Sequence, residues 1–583
     1  MKRLLFLVLL TSLLVVGVIP AAAQTAPTGE FSGNWPYVLP PDHTLNSFAP
    51  NGLGDNLGSL FETYVELPFA IYHWADGTYE GLLASKWGFT DDNKSYTVTI
   101  KDGAKWSDGK PVTADDVIDT FAIGRILGWT DWNYFSDIQK VDDQTIKFIF
   151  SGEPSLVAER LILKDYIASS ETYGDLAKRA LALVAAGKTS ADDDWKALAT
   201  DINNFKPDAL ISSGPYIYAL SDVGAASMTL HWQPDSLYSS TVKFGSIKIW
   251  QGDTELSTPL VLSGEEAHST DVFPPATIDQ FKAQGIRTIT IPRGYGPALL
   301  FNDGIAPWNI KEVRQAVALV INRDQNAFLT GAGATGTVYM SGLLDDNVPQ
   351  LLPADVIAKL DKYSFDTDRA STLMQQAGFT KNSDGKWADK DGKTISADFE
   401  FPAEFVDFSA AAQDAIQQMN AFGFDITARA ITPFSQVVTD IRSSNFSLSI
   451  WSWASQSPFA AAQFFGPLQR FNMGHQPSAD QNGIDFNMKF NWNGQDIDLD
   501  DMITHASDGL DTATQQQRAG AVAQVINDEM PFIPLNVEQS VEPVNEKLIS
   551  GAPQDGDPIL KNPTGSDHWI IMYLLNGKLT PAS

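Results

Sequence analysis

The chain of 583 residues contains no cysteine. That excludes disulfides, thiolate metal sites, cysteine nucleophiles and the acylated cysteine of a bacterial lipoprotein. Basic residues are scarce as well, with 40 Lys and Arg against 71 Asp and Glu, a formal charge of −31. A chain this acidic is repelled by nucleic acid and by anionic membrane surfaces, so neither is an expected partner. The 7 histidines are scattered with no pair at metal-ligand spacing, and GxSxG, HExxH and Walker motifs are missing. No metal, haem or other cofactor is therefore expected. Long apolar runs are limited to Leu4 to Ile19, preceded by Lys2-Arg3 and followed by Ala21-Ala22-Ala23. This run is short for a membrane span of roughly 20 residues and reads as an export signal, residues 1–23, cleaved before Gln24. The mature chain is expected in the periplasm or outside the cell.

What is present is enough apolar residue for more than one core, since a chain of this length exceeds what a single core usually holds. The most informative stretch is Tyr79 to Leu127. Tyr96 to Ile100 alternates polar and apolar residues and is closed by a turn at Lys101-Asp102-Gly103, the pattern of a half-buried strand. A second turn follows at Ser107-Asp108-Gly109. Thr113 with Asp116 three residues on makes a capping signature, and Val117, Ile118, Phe121 and Ala122 behind it predict a helix over about 114–127.

The identities Leu83-Ala84, Trp87, Tyr96-Thr97, Gly103, Trp106, Asp108-Gly109, Pro111, Thr113-Ala114 and Asp116-Val117 resemble the signature of the family 5 extracellular solute-binding proteins. A generic hairpin and helix would explain the turns but not the Trp positions. Further along, Ser213-Gly214-Pro215-Tyr216, the helix Val313 to Asp324 and Met530-Pro531-Phe532-Ile533-Pro534-Leu535 resemble elements of the same family. The resemblance implies an α/β, two-lobe periplasmic binding protein (a Venus-flytrap) of the large three-subdomain type with mixed sheets. It places lobe I at 24–295 with an inserted subdomain at about 60–210, lobe II at 296–533, and a return to lobe I at 534–583. It implies no catalysis, a small-molecule ligand, the permease subunits of an ABC importer as partners, and a monomer.

Gln24 to Gly33 is small and polar and reads as a disordered lead-in. Gly331 to Gly336 matches GxGxxG, but it follows a helix, whereas a dinucleotide site follows a strand. Asp192-Asp193-Asp194 and Asp496 to Asp501 read as solvated or helix-capping charges.

The ligand class turns on Trp451 to Phe459, WSWASQSPF. In peptide-binding members of the family a Trp-x-x-Asp arrangement sets a carboxylate against the peptide ammonium, and here no acid lies between Ser449 and Phe459. Trp451 and Trp453, with Ser455 and Gln456, offer ring faces beside neutral hydrogen-bonding groups. That suits a sugar, whose C–H faces stack on indole while its hydroxyls meet neutral partners. Trp35, Trp74, Trp308 and Trp492 fall in predicted loops, where some of these rings are expected to line the cleft, and Asn46 and Asn302 lie at predicted strand ends; Trp74, Trp308, Asn46 and Asn302 are further candidates for ligand contact. The expected ligand is an oligosaccharide, such as a cello-oligosaccharide or other β-glucoside. An oligopeptide is the rival within the family, and a secreted glycoside hydrolase using two of the many carboxylates is the rival outside it.

Overall fold

A computed structural model describes residues 25–35, 39, 42–476, 478 and 480–582. The segment read as an export signal lies outside them, and none of the described helices is long and apolar enough to cross a membrane. The chain forms two mixed α/β lobes. In the first, strands Gly29–Trp35, Phe244–Gln251, Ser227–Trp232 and Tyr216–Ile217 lie side by side in that order. Gly29–Trp35 runs parallel to Phe244–Gln251 and Phe31 is fully buried, so the expectation of a disordered stretch to Gly33 is corrected from residue 29 on. Local composition could not reveal this strand, because its ordering comes from a partner far along the chain.

The opening signature builds a subdomain inserted in this lobe. Strands Ala84–Phe89, Ser95–Ile100, Thr145–Phe150 and Phe135–Lys140 form an antiparallel sheet, with Tyr96, Val98 and Ile100 turned inward as the alternation predicts. The helix spans Ala114–Leu127, as expected from its cap. Asp116 ties the signature together: one carboxylate oxygen accepts from the Thr113 backbone N–H (2.8 Å) and the Trp106 indole N–H (3.2 Å), the other from the Ser170 N–H (2.8 Å). The signature residues are thus scaffold. Helices Leu156–Lys164, Ser170–Ala185 and Asp193–Asn204 follow, the last two packing Ala177, Trp195 and Ile202 into a small core of their own with Ile123.

The second lobe has a five-stranded sheet ordered Asp425–Ile431, Ser396–Pro402, Leu448–Trp453, Gly296–Phe301, Phe532–Pro534. Every residue of Gly296–Phe301 is buried, as befits a strand covered on both faces. One face packs Leu299, Phe399 and Ile450 against helices Lys311–Val320 and Val406–Phe422. The other packs Leu300, Trp451 and Trp453 against Phe464, Val522 and Ile526 from helices Ala460–Arg470 and Thr512–Glu529.

The lobes are joined where Arg287–Pro292 pairs antiparallel with Gln539–Val544, beyond which both segments enter the second sheet as Gly296–Phe301 and Phe532–Pro534. On Gln539–Val544 sits Glu542, fully buried. It receives the Nε2 of His268 (2.7 Å), the Nε2 of His568 (3.0 Å) and the indole N–H of Trp569 (3.2 Å). His568 Nδ1 accepts from the Ile570 backbone N–H (3.2 Å), so its proton is on Nε2 and points at the carboxylate. The cluster pins the last helix, Trp569–Leu575, to the joint.

Burial alone would raise the Glu542 pKa, but the two histidines hold it well below the usual carboxylate range. Burial also depresses the His568 pKa, against the pull of Glu542. A depressed carboxylate contributes stability above its unfolded pKa of about 4.3 and loses it on acidification, and a depressed histidine loses it below about 6.5. Glu542→Gln is therefore expected to cost about 3–5 kcal/mol near neutral pH, as for breaking a buried charged network. Urea unfolding followed at several pH values should show the gap to wild type closing as pH falls.

Candidate functional site

Between the lobes lies a cavity of about 530 Å³, within the usual size range of small-molecule sites. The first lobe contributes Trp35, Asp253, Asp271 and Thr564; the joining segment contributes Arg293 and Tyr295; the second lobe contributes Phe405, Asp407, Trp451, Ser455, Gln456 and Arg470. Asp253 is there because it caps helix Thr254–Ser263, accepting the Thr254 N–H at 2.7 Å. Asp407 lies in the first turn of Val406–Phe422.

Gln456 bridges the lobes. Its Nε2 donates to the Arg293 carbonyl (2.8 Å) and the Thr564 hydroxyl (3.0 Å), and its backbone carbonyl faces Arg160 Nη2 at 3.5 Å. The side chain passes between Gly294 and Gly565, both at positive φ; a Cβ at Gly565 would stand 2.4 Å from Gln456 Oε1. Arg160 in turn pairs with buried Asp567 (2.8 Å), which also holds Lys164 (2.7 Å).

Of the eight residues singled out in the sequence, the structure brings three into this cavity: Trp451, Ser455 and Gln456. Trp451 is nearly buried among Phe405, Phe408 and Phe471. Trp453 is 1% exposed and donates its indole N–H to the Asn536 carbonyl at 3.0 Å, inside the lobe. Trp74 sits outside the cavity lining, half-buried, donating to Asp567 at 3.2 Å. Trp308 is buried against Phe301 and Phe424. Asn46 and Asn302 are buried loop braces: the Asn46 amide donates to the Ile202 and Phe205 carbonyls, and that of Asn302 to the Ser444 and Phe446 carbonyls. Trp35, one of the loop tryptophans, does line the cavity; Asp253, Asp271, Arg293, Tyr295 and Asp407 line it without having been marked by any motif.

The cavity floor is rich in ionisable side chains. Arg293 donates to the Tyr295 hydroxyl (3.0 Å) and the Thr270 carbonyl (3.2 Å) and lies 3.3 Å from the Glu538 carboxylate. Burial works against this guanidinium, but Tyr295 and Glu538 keep its pKa above the usual value. Asp271 is 3% exposed, and its Oδ2 accepts from Asn34 at 2.7 Å, with Ser257 also close to the carboxylate. Burial, with Asp253 nearby, pushes the Asp271 pKa up to about 7. Burial likewise raises Asp407, opposed by Arg293, and raises Glu538 well above the carboxylate range, with Asp407 adding to it.

Two other features could suggest a cofactor. Among the described residues, His268, Glu542 and His568 converge with ligand-type atoms within 4.8 Å of one another. The Nε2 proton of His568 is committed to the carboxylate, so the trio is built as a hydrogen-bonded charge cluster. The Gly331 to Gly336 loop lines a separate hollow of about 460 Å³ whose wall includes Asp279 and Asp324, a poor setting for phosphate.

Two lobes joined by a pair of strands, with a polar and aromatic cavity between them, define the class of two-lobe binding proteins. The model of the bacterial extracellular solute-binding proteins, family 5 (middle), matches residues 78–473, and the chain belongs to that family. A probable ABC transporter-binding protein of Deinococcus radiodurans is 26% identical over 403 residues, 63% of this chain and 64% of that protein. The dipeptide-binding protein of Escherichia coli K12 is 24% identical over 377 residues, 57% and 62% of the two. The chain thus spans just under two thirds of the length of these curated relatives. A periplasmic oligopeptide-binding protein of Thermotoga maritima superposes with a TM-score of 0.76 at 20% identity, covering 95% of this chain and 99% of that one. A mannohexaose-bound structure of an oligopeptide-binding protein from Thermotoga maritima gives 0.72 at 19% identity, covering 96% and 99%. These relatives are named as binding proteins, not as enzymes.

Trp453→Ala is expected to lower stability by about 3–5 kcal/mol, as for other buried aromatic truncations, which urea unfolding would measure. A variant as stable as wild type would show that its packing matters little. Asp271 has a folded pKa above its unfolded value, so its contribution is most favourable below about pH 4 and is lost as pH rises towards 7. Asp271→Asn should therefore gain stability relative to wild type between pH 4.5 and pH 8, by more than about 1.4 kcal/mol, the worth of one pKa unit. Equal unfolding midpoints for the two proteins at both pH values would rule this out.

Proposed function

We propose that this protein is the exported solute-capturing subunit of an ABC importer, acting as a monomer in the periplasm or outside the cell, and that it carries a short oligosaccharide. The observation behind the ligand class is the cavity lining. Trp35, Tyr295, Phe405 and Trp451 supply ring faces, and the hydroxyls of Thr564 and Ser455 with nearby carboxylates supply hydrogen-bonding partners. Sugar C–H faces stack on such rings, and sugar hydroxyls need such partners. Gln456 occupies the fourth position of Trp453-Ala454-Ser455-Gln456, where peptide-binding members of the family place an acid, and its amide is committed to bridging the lobes. Glucan and mannan fragments are the first candidates, the latter because of the mannohexaose-bound neighbour.

Capture works through the joint. A ligand in contact with both lobes binds the closed form more tightly than the open form, and that difference shifts the population towards closure. A micromolar ligand supplies roughly 8 kcal/mol net. Part of the gross contact energy holds the lobes together in the form offered to the permease, and no bond in the ligand is broken.

A second reading, a short peptide ligand, is favoured by the dipeptide-binding relative and by the carboxylates in the cavity. Calorimetric titration with cello- and manno-oligosaccharides and with di- to pentapeptides separates the two, with chromatography of the recovered sugar to detect hydrolysis. Sugar binding without cleavage is the expected result. Binding of peptides alone would replace the sugar reading, and cleavage would replace the transport reading. Trp451→Ala is expected to weaken sugar binding by about 1 kcal/mol, roughly fivefold. Unchanged affinity in a folded variant would remove Trp451 from the ligand contacts.

A further inference from the structure

No residue from Ala84 to Leu210 lines the cavity between the lobes, yet the inserted subdomain that they build reaches across to the second lobe. It does so through helix Leu156–Lys164 and the turn before it. Ser155, the N-cap of that helix, is 1% exposed and pairs with Gly509 in an isolated parallel bridge. Beside it Glu153 lies 4.0 Å from Arg518. Burial, with Asp508 of the same second-lobe loop close by, pushes the Tyr134 hydroxyl up to about 12. About 7.5 Å further along the helix, Arg160 faces the backbone carbonyl of Gln456 at 3.5 Å.

Each side of this contact is fixed within its own lobe. In the first, Ala158, Ile162 and Leu163 sit in the core of the inserted subdomain, the Ser155 hydroxyl accepts from the Val157 N–H (3.1 Å), and Arg160 and Lys164 both pair with buried Asp567. In the second, Gln515 donates to the Gly509 carbonyl (2.8 Å), Arg518 to the Asp508 carbonyl (3.0 Å), and the Ser507 hydroxyl accepts from the Ala461 N–H (3.0 Å). What joins the two sides is small and polar, a contact that leaves lobes free to part.

We infer that helix Leu156–Lys164 is the catch against which the second lobe closes, through Gly509 and the Gln456 carbonyl, and that the inserted subdomain thereby sets the balance between open and closed forms. Neither Ser155 nor Gly509 lines the cavity. The catch therefore adds the same increment to closure whichever ligand is bound, and decides how much differential affinity that ligand must supply to close the lobes. A subdomain that does not meet the ligand has in this way a task in its capture.

The inference rests on lobe closure as the means of capture, but not on the class of ligand. Because the chain has no cysteine, Ser155→Cys with Gly509→Cys can form one disulfide and no other. Bridged strands lie about 4.8 Å apart, within the span of a disulfide. A Cβ at Gly509 would stand 3.8 Å from the Glu153 carboxylate, so the side chain has room, although the φ of +84° strains it. Glu153→Cys with Arg518→Cys, joined by a short bis-maleimide, sets the same lock on accessible side chains and leaves Gly509 in place. X-ray scattering from the ligand-free full chain is expected to give a smaller radius of gyration for the locked form than for the unlocked one. The locked form should also take up cellohexaose, mannohexaose or trialanine at least about tenfold more slowly. Equal radii, or no cross-link in either pair, would overturn the catch. Equal uptake rates would overturn it too and leave the capture reading standing. A smaller locked radius with no uptake of any sugar or peptide by the unlocked form would support the catch and remove the ligand reading.

Discussion

Among the described residues two segments of backbone pass between the lobes, and the guanidinium of Arg293 sits at the place where they pass. Arg293 lies just beyond the paired strands Arg287–Pro292 and Gln539–Val544, with Glu538 beside it on the returning segment. The rest of the cleft is arranged around that charge. Asp271 and Asp407 approach it from opposite lobes, Tyr295 accepts from it, and Gln456 takes the Arg293 carbonyl. Cavity and joint are therefore one structure. A group that enters the cavity and changes the charge balance there acts on the same residues that link the lobes.

The bridging by Gln456 shows how narrow the tolerance is. Its side chain fits between Gly294 and Gly565 because neither carries a Cβ, and each adopts a positive φ that other residues rarely take. Away from the cleft, helix Trp569–Leu575 is fixed to the joint by Glu542, His268, His568 and Trp569. The inserted subdomain is held to the first lobe through Arg160 and Lys164 on Asp567. Its signature motif serves that rigidity: Asp116, Trp106 and Thr113 hold one another, and none of them lines the cavity.

The legible part of this molecule was the part with short-range periodicity. The alternation in Ser95–Ile100, the cap at Thr113 and the apolar face of Ala114–Leu127 are consequences of side-chain spacing and appear in the structure where the spacing puts them. The strand Gly29–Trp35 was illegible because its partner is Phe244–Gln251 and its own residues have little strand character. The cavity was legible only in part. Trp451, Ser455 and Gln456 reach it. Trp453 has the same residue type and lies two positions away on the same sheet face, yet it is sealed beneath Asn536. Asn46, Asn302 and Trp308 look polar or loop-bound in sequence, but their hydrogen bonds and ring contacts are internal.

By itself the amino-acid sequence determined the family, the scaffold of the inserted subdomain and the absence of thiol chemistry, because these depend on residue identity at fixed local spacing. It could not determine which charges meet. Asp253, Asp271, Arg293, Asp407 and Glu538 are separated by long stretches of chain, and so are His268, Glu542 and His568. Their pairing exists only once two sheets and the joint between them set those side chains face to face in a medium where an unpaired charge is costly. That is why the family could be read from the chain, whereas the charges that face one another in its cleft could not.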